Sequence, residues 1–184
     1  MLATDLLKHE HQVILLVLEA AAEEAERIAQ KREVRAERVS EMVDLFRNFA
    51  DRCHHAKEET LLFVKMAERD PAMESGHIAA LLAEHVEGRA RVTAVAEALP
   101  RAAAGDADAL EGVRHNLQAY VTLLRSHIDT EDAVVYPLAD AMLTGEDQRA
   151  LSAAFDEVEA EEIGAGVHER YHEMAHRLAA EPHG

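Results

Sequence analysis

The chain has 184 residues, enough for one domain with a real core and short for two. Apolar residues make up 48 %, which places it among folded globular chains rather than disordered ones. With 36 acidic against 19 basic residues the formal net charge is −17, a balance that repels phosphate backbones and anionic lipid and argues against nucleic-acid and membrane-surface roles.

No Gly or Pro interrupts the first 70 residues. The first apolar stripe is Leu7, His11, Ile14, Leu18, Ala21, Ala25 and Ile28, alternating steps of four and three as a bundle helix does. The charged stretch Gln30-Lys31-Arg32-Glu33 suits a turn. A second stripe, Val39, Val43, Phe46, Ala50, His54, Glu58 and Leu61, is stopped by Pro71. The third is Ile78, Leu81, His85, Gly88, Val92, Val95 and Leu99, with Pro100 after it and a small, polar loop over Ala102 to Asp106. The fourth is Leu110, Val113, Leu117, Tyr120, Leu124, His127, Glu131, Val134 and Leu138, with Pro137 predicted to kink or loosen it. Four long helices with short connections predict an all-α, up-down-up-down four-helix bundle over residues 1–143. A helical extension over 144–184 is predicted to pack on it. Thr144 is expected to cap a segment over 147–163, Gly164 and Gly166 to break it, and a short helix to run from about Val167 to Ala180.

The single cysteine cannot form an intrachain disulfide. The N-terminus shows no basic region followed by an apolar stretch, and no apolar run reaches about eighteen residues, so a cytoplasmic protein is expected.

The stripes carry polar residues where a bundle core should be apolar, and these fall at matching places. His11 matches His85, His54 matches His127, and Glu58 matches Glu131, at offsets of 74, 73 and 73 residues. Glu10-His11 corresponds to Glu84-His85, and His54-x-x-x-Glu58 to His127-x-x-x-Glu131. Residues four apart share a helix face, so each His/Glu pair can converge on one ion. A lone pair of this kind is usually a surface pair, but two on core stripes at one offset, with two further His, are hard to get by accident. Four imidazoles and two carboxylates suit iron or manganese better than calcium, which takes oxygen ligands, or structural zinc, which takes four tight ones. A polar core network without metal is the alternative.

The segments Leu6-x-x-x-Glu10-His11, Cys53-His54-His55-x-Lys57-Glu58-Glu59-x-x-Leu62-Phe63, Leu81-x-x-Glu84-His85 and His127-Ile128-x-x-Glu131-Asp132-x-x-x-Tyr136-Pro137 resemble the hemerythrin-like (HHE cation-binding) family. The resemblance spans about Leu6 to Leu138. It implies a non-haem di-iron centre of two Fe ions, with His11, His54, His85 and His127 as terminal ligands and Glu58 and Glu131 as bridges beside an oxo, hydroxo or solvent group. Three departures from the oxygen carriers stand out. Leu81 occupies the position of their extra His on the third helix, and His77 lies about 12 Å from His85 along a helix, too far to replace it. Glu131 stands four after His127, where the carriers use Asp five after. Val64 follows Leu-Phe where the family often has Pro. One imidazole is therefore missing, and water, an exogenous ligand or another side chain takes its place.

The resemblance implies a protein that binds or reacts with O2, NO or peroxide. The alternative is an iron sensor, store or iron-centre repair protein without redox turnover. In the C-terminal segment, Glu162, His168, Tyr171 or His172 could reach the site or its mouth, but a solvated helix packed on the bundle is the simpler reading. His9, His55 and His115 flank the stripes and are read as outer-layer or surface residues. Cys53 points about 100° away from His54 on an α-helix and is read as a small core residue rather than a thiolate ligand, with redox or nitric-oxide chemistry as its sharper possibility. The oligomeric state is not legible.

Overall fold

The structure, a computed structural model, describes residues 2–160 and 167–180. Every regular element among them is helical. The first rod, α1 (Ala3–Lys31), buries all seven residues of its predicted stripe. It ends at Arg32, whose left-handed φ of 57° turns the chain. The second rod is assembled from α2 (Ala36–Leu45), wide π turns over Phe46–His55 and Glu58–Leu62, and α3 (Phe63–Arg69). It ends at Asp70, which is extended ahead of Pro71. A segment over Glu74–Ile78, kinked at Gly76, whose φ of −104° and ψ of −111° are not helical, leads into the third rod, α4 (Ala79–Ala103). The fourth is α5 (Ala107–Thr130), capped by the Asp106 carboxylate, followed by a π turn over Glu131–Val135 and by α6 (Tyr136–Met142). The predicted helical bundle with an added C-terminal helix is the architecture observed.

The π turns change which residues face inward. A π turn closes i→i+5 hydrogen bonds and so takes in an extra residue. On the fourth rod the sequence pattern puts Val134 and Leu138 inside, yet they are 39 % and 37 % exposed, and Val135, Tyr136 and Ala139 are buried in their place. The second rod shifts in the same way: Leu61 is only partly buried, and Leu62, Phe63 and Met66 take the core. Pro137 lies one turn beyond Glu131–Val135, where the widened backbone removes the need for its missing N–H. Pro100 does not end the third rod; it sits inside α4, which runs on to Ala103.

Thr144 opens α7 (Gly145–Val158) through a reciprocal cap, its hydroxyl accepting from Asp147 N–H and the Asp147 carboxylate accepting from Thr144 N–H. Helix α7 starts two residues before the predicted 147, and residues 161–166, with the predicted end at 163 and both Gly164 and Gly166, lie outside the described residues. Helix α8 (Val167–Ala180) matches its expected span.

The apolar interior forms two clusters. One holds Ile14, Leu18, Phe46, Phe49, Val95, Leu117 and Tyr120, joined by Tyr171, Ala175 and Leu178 of α8. The other holds Leu7, Phe63, Met66, Leu81, Tyr136 and Ala139, joined by Leu151 and Phe155 of α7. Each rod passes from one cluster to the other, and His11, His54, His85 and His127 lie at the crossing. Gly88, on the stripe of α4, lets α5 approach closely, because a Cβ there would meet the Tyr120 ring at 3.3 Å. No helix among the described residues is long and apolar enough to cross a membrane.

Because α8 contributes fully buried side chains, Leu178→Ala is expected to destabilise the protein by about 2–5 kcal/mol in denaturant unfolding. His176→Ala, on the exposed face of the same helix, is expected to stay within about 0.5 kcal/mol. Equal effects of the two would contradict the docking of α8.

Candidate metal centre

All six sequence-predicted ligands are buried and come together between the two apolar clusters. His11, His54, Glu58 and Glu131 form one group of four donors. Glu58, His85 and His127 belong to a second, with His55 as its fourth member. Within each group the donor atoms lie within 4.8 Å of one another. Glu58 belongs to both groups. Its Oε2 is 3.7 Å from His54 Nε2 and 3.5 Å from His85 Nε2. Glu131 spans the groups likewise, Oε2 lying 3.2 Å from His11 Nε2 and Oε1 3.1 Å from His127 Nε2. Each carboxylate thus faces one imidazole of either group, the placement a bridging ligand needs.

An outer ring of carboxylates orients the imidazoles. His11 Nδ1 donates to Asp132 at 2.9 Å, His54 Nδ1 to Glu10 at 2.9 Å, His85 Nδ1 to Glu59 at 2.7 Å and His127 Nδ1 to Glu84 at 2.7 Å. An ionised carboxylate only accepts, so each Nδ1 carries a proton, and Nε2 is the ring nitrogen turned inward. This is the arrangement that orients metal-bound histidines. It also gives meaning to the Glu-His dipeptides: Glu10 holds the histidine of the second rod and Glu84 that of the fourth. Asp132 and Glu59, each next to a shared Glu, hold the histidines of the first and third rods. The two-fold repeat in the sequence therefore extends to the supporting shell.

The inward atoms are left uncompensated. His54 Nε2, Glu58 Oε2 and both Glu131 oxygens are buried and make no aligned hydrogen bond. His85 Nε2 and His127 Nε2 face each other at 3.0 Å. Two lone pairs at that distance repel unless a proton or a cation lies between them. The titration pattern agrees. Burial and the neighbouring Glu131 push Glu58 well above the usual carboxylate range. Burial also opposes charge on Glu131, but contacts with His11 and His127 outweigh it and hold Glu131 well below that range. Burial opposes a proton on His11 too, yet Asp132 and Glu131 raise its pKa to about 9. Burial holds His54 down to about 4. The unpartnered carboxylate oxygens and inward ring nitrogens are a donor set that divalent cations would fit.

His55 departs from its expected place. It is 4 % exposed, and its ring stacks on His85 at 3.8 Å between centroids. Burial keeps it neutral, far below the usual histidine range. The sequence reading assumed α-helical geometry, in which neighbours diverge by about 100°. The π turn over Phe46–His55 brings His54 and His55 to different sides of one buried layer. A widened turn of this kind leaves no mark in apolar periodicity; the doubled His-His was the available hint.

Tyr136 was read as part of a motif but given no role. It is fully buried, donates to Glu58 Oε1 at 2.6 Å, and stacks on the His11 ring at 5.4 Å. A cavity of about 260 Å³ has Phe46, Asp51, His55, Gly88, Arg89 and Tyr120 in its wall.

The C-terminal helix does not enter either donor group. His168 Nε2 lies 3.7 Å from Glu10, which in turn holds His54, so α8 stands one residue removed from the centre. Tyr171 donates to Asp44, and His172 packs against Phe49 and His168. Glu162 lies outside the described residues. Glu10, Glu159 and His168 form a third donor group, but the Lys57 ammonium is already bound there, at 2.5 Å from Glu10 and 2.6 Å from Glu159.

Cys53 is fully buried and belongs to no donor group. Burial, together with the charge of Glu10, pushes its thiol up to about 12, so the reactive thiolate is suppressed. A thiol reagent at pH 8 is expected to leave Cys53 unmodified in the native protein and to label it fully after denaturation. Rapid labelling of the native protein would overturn this placement.

Comparison with known proteins agrees with the geometry. Uncharacterized proteins of Mycobacterium bovis and of two Mycobacterium tuberculosis strains are each 25 % identical to this chain over 158 residues, covering 86 % of it. The chain spans 61 % of the length of these relatives. No solved structure matches it. The hemerythrin HHE cation binding domain matches residues 2–139, which contain the first three rods, the fourth as far as Ala139, and all six predicted ligands. The chain belongs to the hemerythrin HHE cation-binding domain family.

Proposed function

We propose that this chain holds two iron ions in the His/Glu layer and uses them to bind or react with a small oxidant or diatomic: O2, NO or peroxide. The observation that carries the reading is the pair of donor groups sharing Glu58 and spanned by Glu131. A mixed imidazole and carboxylate set favours iron or manganese over calcium and over closed zinc sites. His11, His54, His85 and His127 are the terminal ligands in this reading, and Glu58 and Glu131 the bridges. The ion pair supplies two electrons and open coordination positions.

The chain's own residues do the rest. Glu10, Glu59, Glu84 and Asp132 fix the imidazole tautomers and aim. Tyr136 keeps a hydroxyl proton at Glu58 Oε1. The apolar clusters on either side exclude bulk water, which strengthens every electrostatic contact between them. The cavity walled by His55 and Arg89 is the approach for a ligand of a few atoms. A single, buried cysteine and the absence of a disulfide suit the cytoplasm, where this reading places the protein.

One ultraviolet-visible spectrum of the oxidised, iron-loaded protein, taken with and without azide, tests the reading. Ligand-to-metal bands that shift with azide support a reactive pair. Iron that a chelator strips quickly, with partial unfolding, favours a sensor, store or repair donor. Well under one metal per chain after growth in ample iron would sink both.

His54→Ala and Glu58→Ala are each expected to lower iron content and melting temperature together, because a ligand that binds only the folded state stabilises it. Unchanged iron in both variants would refute the assignment. Glu84→Gln and Glu59→Gln keep shape but remove the charge behind an imidazole. Each is expected to weaken iron binding about 10–100-fold in a chelator competition while leaving helix content intact.

A further inference from the structure

Two of the buried positions at which the halves differ lie in the donor layer. Shifting His55 by the 73 residues that relate His54 to His127 reaches Ile128, which is buried and apolar. The same shift relates Phe63 to Tyr136. One half therefore carries an additional imidazole and the other an additional hydroxyl.

Like the other four histidines, His55 has a carboxylate on its Nδ1 side, but without a hydrogen bond. Its Nδ1 faces a carboxylate, Asp51 Oδ1, at 3.5 Å. Asp51 is fixed by Arg89 Nε at 2.8 Å, and Arg89 also donates to Glu59 at 2.6 Å, the carboxylate behind His85. One guanidinium thus steadies the supports of two stacked imidazoles. A ring nitrogen of His55 lies within 4.8 Å of the donor atoms of Glu58, His85 and His127. The ring is stacked on His85 at an interplanar angle of 15°, so to share an ion with His85 it would have to turn out of the stack, and its Nδ1 makes no hydrogen bond that would have to break.

We infer that His55 is a fifth imidazole ligand, serving the ion that His85 and His127 hold, with Asp51 and Arg89 as its positioning residues. It occupies the role left empty by Leu81 on the third rod. The ion on that side then has three imidazoles, and the ion on the His11/His54 side has two. The inference rests on the di-iron reading and deepens it.

The test is iron content of the full chain after anaerobic loading and desalting, for the native protein and for His55→Gln and His55→Ala. Two iron ions per chain are expected in the native protein and about one in each variant, with helical circular dichroism unchanged. Two tightly held ions in a folded variant would overturn the inference and leave the di-iron reading standing. No iron in the native protein would overturn both. Should neither variant fold, an anomalous-scattering map of iron-loaded native crystals decides: an ion at bonding distance from a His55 ring nitrogen upholds the inference, and one bonded to His85 and His127 but not to His55 overturns it.

Discussion

Two buried carboxylates, each facing one imidazole from either half of the bundle, are the contact on which the rest of this structure turns. Glu58 and Glu131 are fully shielded from water, and a buried carboxylate without a cation costs several kcal/mol, by order of magnitude. The apolar clusters offer these carboxylates one hydrogen bond, from the Tyr136 hydroxyl to Glu58 Oε1. The chain answers with inward imidazole nitrogens and outward carboxylates, a polar layer one residue thick between two greasy ones. The backbone is shaped to the layer as well. π turns begin at or end on the donors themselves, at Phe46–His55, Glu58–Leu62 and Glu131–Val135, and each re-aims the side chains that follow.

The outer carboxylates connect that layer to the surface. Arg89 joins Asp51 to Glu59, behind His55 and His85. Lys57 joins Glu10, behind His54, to Glu159 just beyond α7. His168 approaches Glu10 from α8. The C-terminal helices are thus tied to the orientation of a donor histidine through a buried ammonium and one carboxylate, without entering the centre. Their apolar faces complete the two clusters, so the same segments seal the layer from water and brace it.

Much of this was legible in the sequence. The 74- and 73-residue offsets singled out six residues that the structure brings together in the core, because a buried His or Glu on an apolar stripe has few explanations other than a partner there. The four rods followed from steps of four and three. What periodicity could not carry was the local change of helix type. Val134 and Leu138 read as core because the pattern assumes 3.6 residues per turn, and His55 read as peripheral for the same reason. The roles of Glu59, Glu84, Asp132 and Asp51 depend on contacts between rods and have no signature within any one of them.

The central claim is that the two donor groups hold a pair of ions in one shared site rather than one ion or two independent ones. Electron paramagnetic resonance of the iron-loaded protein, after addition of one electron per chain, measures this directly. Two irons joined through Glu58 and Glu131 give the signal of a coupled mixed-valence pair, silent in the fully oxidised state. An isolated high-spin ferric signal that accounts for all the bound iron would contradict the account.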